Sequence, residues 1–121
     1  MRVSKIFNFD SAHFLPSYHG KCERLHGHTY KLTVTIEGIP DGEGMVLDFL
    51  VLKNIVQDNV LSKLDHVLLN DIIEQPTAEN IALWIWKTIE PEIMTHGVLL
   101  AGIELWETPT SYVSLSKNDR Q

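Results

Sequence analysis

The sequence predicts an α+β layer, a four-stranded and mainly antiparallel sheet with two helices on one face, in the order ββααββ. Two observations carry this. Four segments alternate apolar and polar residues with period two, and between the second and third lie two segments with apolar residues at helical spacing. A third sets the scale: 121 residues fit one compact core, so residues 1–121 are read as a single domain.

The first strand is read from Val3, Lys5, Phe7 and Phe9, which alternate with Arg2, Ser4, Ile6 and Asn8 and give one aromatic-rich face. SAHFLPSYHGKCER then reads as irregular, with Pro16, Gly20 and mixed charge. HGHTYKLTVTIEG is the second strand, with His28, Tyr30, Leu32, Val34 and Ile36 on one parity. GIPDGEG is a turn-rich loop. Asp48 is expected to cap a helix of about 14 residues ending near Lys63, with Leu52, Ile55, Val56, Val60 and Leu64 as its apolar stripe. Thr77 is expected to cap the second helix, which buries Ile81, Trp84, Ile85 and Ile89 and ends at Pro91. Two closing strands, Leu99 to Thr108 and Ser111 to Lys117, flank a turn at Pro109. One face of so small a sheet is left open and its edges unpaired, so oligomerisation is expected.

A formal net charge of −6 argues against a general nucleic-acid binder. With 44% hydrophobic and 21% charged residues, the composition is that of an ordinary globular domain. A single cysteine excludes an internal disulfide framework and fits a reducing compartment. MRVSKIFNFD lacks the apolar core of a signal peptide, and no apolar run approaches the roughly 20 residues that cross a bilayer. A cytoplasmic protein with no membrane contact is expected.

CERLHGH, residues 22–28, carries the densest chemistry. In a strand, His26 and His28 point to the same side, and Gly27 leaves space between them. Two bare imidazoles on an apolar face are awkward to satisfy, whereas a zinc ion uses them as ligands. His13, just past the first strand, is the natural third ligand, with His19 as its substitute; His19 and His96 otherwise read as solvated. The plainer reading of His-x-His is a surface pair with no metal. Cys22 has three readings that its position does not separate: fourth ligand, inert buried thiol, or thiolate acting beside the metal.

The adjacent Asp65 and His66 offer a carboxylate and an imidazole, the ingredients of a proton relay, but neighbouring residues need a turn to face each other. As a plain alternative they cap the end of the first helix. The parity of Ile103, Leu105 and Glu107 puts a carboxylate on a largely apolar face. A ligand with an N–C–N edge, such as a pterin or guanine, would supply two N–H donors to it; otherwise Glu107 is solvated at a frayed strand end. Thr77 has a hydroxyl near the same region, although its capping duty explains it fully.

FDSAHFL, CERLHGHTY, MVLDF, LDHVLLN, PTAEN and LWET, in this order and spacing, resemble the 6-pyruvoyltetrahydropterin synthase superfamily over roughly residues 3–115. Three residues between Cys22 and His26 are most similar to its 6-carboxytetrahydropterin synthase branch, of queuosine biosynthesis. The resemblance implies the tunnelling fold, in which subunits close their sheets into a barrel, as a hexamer built from two trimers. It implies Zn²⁺ on His13, His26 and His28, Cys22 as catalytic base, and Asp65 with His66 as relay partners from a neighbouring subunit. Glu107, with Thr77 nearby, would hold the pterin of a 7,8-dihydroneopterin triphosphate substrate. The expected products are 6-carboxy-5,6,7,8-tetrahydropterin, acetaldehyde and triphosphate. Lys21, Arg24 and Lys31 are the cations nearest in sequence for the phosphates, though each alone reads as solvated. A pyruvoyl-type synthase, or a zinc- and pterin-binding protein without turnover, are the alternatives.

Overall fold

A computed structural model describes residues 1–119. Strands β1 (Arg2–His13), β2 (His26–Glu37), β3 (Leu99–Thr108) and β4 (Ser111–Ser116) form one antiparallel sheet in sequential order. Between β2 and β3 come α1 (Phe49–Val56), a π-helical segment Gln57–Leu61, α2 (Ser62–Leu64), a 3₁₀ turn Leu69–Asp71 and α3 (Ala78–Met94). The ββααββ layer expected from periodicity is the one observed.

The strand alternation sorts the two faces. Phe7, Phe9, Tyr30, Leu32, Val34, Ile36, Ile103 and Leu105 are buried in one cluster with Leu52, Val56, Val60 and Leu64 of the first helical stretch and Ile81, Ile85, Ile89 and Ile93 of α3. Fully burying each such side chain contributes about 1.5–3 kcal/mol, and this cluster holds the layers together. The opposite sheet face is polar and open, with Ser4 and Thr35 hydrogen-bonded across it at 2.7 Å and Ile6 exposed.

Four elements differ from expectation. β1 runs through Ser11 to His13, a stretch expected to be irregular, because Ser11↔His28 and His13↔His26 continue the ladder with β2. The first helix carries Asp48 as its cap, accepting from Leu50 N–H, but widens to π geometry at Gln57–Leu61. There the side chains of Asn59 and Ser62 donate to the carbonyls of Ile55 and Asp58. Pro91 does not end the second helix; α3 continues to Met94. A proline costs one backbone hydrogen bond and crowds the preceding turn, but buried Ile89 and Ile93 hold the last turn on the core. Finally, β3 contains two extra residues. Ala101 falls between the pairs Thr35↔Gly102 and Ile36↔Leu100, and Glu107 falls between Trp106↔Tyr112 and Thr108↔Ser111. Both are β-bulges, which locally re-aim a strand.

Candidate metal centre and its surroundings

The β1–β2 register brings His13 opposite His26, and the two-residue period places His28 on the same face. Their ligand atoms form a group mutually within 4.8 Å. His13 Nε2 lies 3.2 Å from His26 Nε2. His13 is buried; its Nδ1 lies 2.8 Å from the Pro76 carbonyl, so Nδ1 carries the proton and Nε2 presents a lone pair. His26 does the same through the Arg24 carbonyl at 2.8 Å. Backbone carbonyls fixing the outer nitrogen of each ring are the usual support of metal-ligating histidines. His28 Nε2 is buried without a hydrogen-bond partner. Burial holds the His28 pKa below the ordinary imidazole range, against the opposing pull of Glu107, which keeps it neutral and able to ligate. Three converging lone pairs, one of them otherwise orphaned, fit a divalent metal better than they fit each other. His19, held as a substitute ligand, is exposed against Tyr18 and outside the group.

Glu107 is the second arrival at the centre. β2–β3 pairing stops at Lys31↔Trp106, and beyond it a cleft of about 560 Å³ opens, lined by His28, Thr29, Lys31, Trp106, Glu107 and Thr108. The bulge puts the Glu107 carboxylate 3.9 Å from His28 Nε2 and 4.0 Å from His13 Nε2. Its surroundings are thus imidazoles and a cleft, not the apolar neighbours expected from strand parity, and its side chain is 29% exposed. Lys31 lies over the Trp106 ring at 4.4 Å, and Trp106 stacks on Tyr112 at 4.0 Å.

Asp65 and His66 do face each other, within one chain. His66 has a left-handed backbone, φ 58°, and this turns its Nδ1 to 2.9 Å from Asp65 Oδ1. The turn is held by the edge of β1, where His66 N–H donates to Asp10 O at 2.6 Å and Asp10 N–H donates to Asp65 Oδ1 at 2.9 Å. The pair is therefore not a simple helix cap. His66 borders a second cleft with His28, Gly27, Thr29 and Asp10.

Cys22 is exposed, its Sγ 3.6 Å from the Glu23 carbonyl, and it is outside the histidine group. Its loop is tied back rather than loose, because Glu23 N–H donates to Leu15 O and Leu15 N–H donates to the Glu23 carboxylate. Thr77 caps α3 by accepting from Asn80 N–H at 3.1 Å, and it touches the centre only through the neighbouring Pro76 carbonyl. Sequence reasoning missed Pro76, Asp10 and Asn70, and it named Arg24 only for its side-chain charge, not for the carbonyl that faces His26. Asn70 pins the backbone of Phe14 with two hydrogen bonds, directly after His13. No residue type signals a backbone carbonyl that will face an imidazole; only Asp10, facing Thr29 across the β1–β2 register, was readable in principle.

The family profile described as 6-pyruvoyl tetrahydropterin synthase matches residues 2–118. The 6-carboxy-5,6,7,8-tetrahydropterin synthase of Haemophilus influenzae is 36% identical, over 92% of this chain and 95% of its own. The dihydroneopterin monophosphate aldolase of Pyrococcus furiosus is 45% identical, over 88% of this chain and 89% of its own. The solved 6-pyruvoyl tetrahydropterin synthase of Caenorhabditis elegans superposes with a TM-score of 0.83 at 26% identity, covering 96% of this chain and 94% of that one. With a match over nearly its whole length, its sheet and helices superposing on a solved member, and three histidines gathered at one end of the sheet, the chain belongs to the 6-pyruvoyl tetrahydropterin synthase family.

Proposed function

We propose that this protein is a zinc-dependent lyase that converts 7,8-dihydroneopterin triphosphate to 6-carboxy-5,6,7,8-tetrahydropterin, acetaldehyde and triphosphate, a step of queuosine biosynthesis. The observation that carries the reading is the convergence of His13, His26 and His28, with His28 Nε2 buried and unpartnered. An all-imidazole set suits zinc, and three protein ligands leave a fourth position open, as catalytic zinc sites do. Bound there, zinc supplies Lewis-acid polarisation of a side-chain oxygen of the substrate.

The chain's own groups do the rest. Glu107 accepts two N–H donors from the pterin's N–C–N edge and so sets which end of the substrate faces the histidines. Thr77 keeps a free O–H to donate, since its oxygen accepts from Asn80. Cys22 removes a proton from the substrate side chain as thiolate, and its exposure leaves it open to substrate. His66 holds or returns that proton while Asp65, 2.9 Å away, fixes its Nδ1–H and turns Nε2 outward. In the assembled hexamer, a dimer of trimers, Cys22 and the Asp65–His66 pair meet from neighbouring subunits; the open polar sheet face supports such closure. A thiolate base works in a reducing compartment, which in this reading is the cytoplasm.

The similarity to an aldolase favours one second reading, cleavage of a dihydroneopterin phosphate without loss of its phosphate. Product analysis with zinc-loaded protein and 7,8-dihydroneopterin triphosphate tests the proposal. Acetaldehyde with free triphosphate is expected. A phosphorylated two-carbon fragment would favour the aldolase reading, and a three-carbon pyruvoyl product would replace the carboxy assignment with the pyruvoyl one.

A further inference from the structure

We infer that Glu107 is a displaceable fourth ligand: its carboxylate closes the metal centre when the cleft is empty and leaves it when a pterin arrives. The inference rests on the reading of Glu107 as the pterin-holding group, and adds a second duty to the same side chain. Three observations carry it. The carboxylate lies 3.9 Å from His28 Nε2 and 4.0 Å from His13 Nε2. Ligand atoms around a tetrahedral zinc, with bonds of about 2.0–2.2 Å, stand roughly 3.3–3.5 Å apart. Oε1 and Oε2 are thus each about half an ångström beyond this spacing from one imidazole, and a turn of the side chain toward His26 is needed to bring one oxygen into the shell. His13 and His26, at 3.2 Å, already stand close to this spacing.

The second observation is the bulge at residue 107. An unbroken β3 would pair Glu107 with a β4 residue; the extra residue frees it from the ladder and lets its side chain turn toward the histidines. The third is its partial exposure at the mouth of the cleft, which leaves it room to withdraw. Glu23 lies 3.9 Å from His26 Nδ1, the outer nitrogen, and so leaves the metal-facing side of that ring clear, while Glu107 approaches from the side of His13 and His28. A carboxylate on that side closes an otherwise open position, and two N–H donors of a pterin compete for the same oxygens. Substrate binding would thus itself open the metal.

Cobalt(II) binding to the metal-free protein, followed by visible absorption, tests this without turnover. Glu107→Gln removes the charge, whereas Glu107→Asp keeps the charge but withdraws the oxygens by one methylene. Ligation predicts that both variants bind cobalt at least about tenfold more weakly and share band positions displaced from the wild type. Glu104→Gln, whose carboxylate instead accepts from Trp106 Nε1, keeps wild-type affinity. Unsubstituted pterin added to the cobalt-loaded wild type moves its bands toward those of the variants. The inference is overturned if Glu107→Asp binds cobalt like the wild type, which would reduce Glu107 to a nearby charge, or if Glu107→Gln does. Loss of affinity in both variants, in a protein that turns over no pterin triphosphate, would keep the ligand and remove the substrate reading.

Discussion

His28 shows how one side chain records the chemistry around it. Its Nε2 is buried without a partner, and burial lowers its pKa from the ordinary value of 6.5. The unfolded imidazole therefore takes up its proton at higher pH than the folded one, so the unfolded state binds more protons as pH falls through that range. Stability of the metal-free protein is expected to fall from pH 7.5 to pH 5.5, as urea unfolding midpoints would show, and His28→Gln should flatten the difference. Equal slopes for the two proteins would place the loss elsewhere. The convergence of the three histidines was legible because strand period and strand pairing are encoded locally: His26 and His28 by spacing, His13 by following the first strand. His66 was less so. Its left-handed backbone depends on a hydrogen bond to Asp10 O, fifty-six residues back in the chain, which no local pattern announces.

At the scale of elements, the fold was written in periodicity and its exceptions were not. Alternation located β2 and β3, but an extra residue in a strand does not disturb composition, so the bulges at Ala101 and Glu107 were invisible. Pro91 misled for the opposite reason: a strong local signal for a helix end was overridden by burial of Ile93. The N-terminus of α3 joins fold and site, since Thr77 caps the helix and the preceding Pro76 carbonyl fixes His13. Thr77→Ala should cost about 1 kcal/mol of stability by denaturant titration. It should also weaken zinc binding, because the Pro76 carbonyl loses its fixed position. Unchanged zinc affinity beside the lost stability would show that the cap does not support the metal centre.

Over the whole molecule, one chain assembles the three histidines, Glu107 and the Asp65–His66 pair, while Cys22 stands on an exposed, stapled loop. The open sheet face, with Ile6 and Tyr112 exposed, is where the proposed barrel would close and bring a second subunit's groups to the cleft. The centre of the account is that three imidazoles hold the metal and the thiol works beside it. Zinc content and acetaldehyde release, measured together on wild type and Cys22→Ala, test this most directly. The account predicts that Cys22→Ala keeps its zinc at wild-type stoichiometry and loses turnover by about a hundredfold or more. Loss of zinc along with activity would make Cys22 a ligand and contradict it.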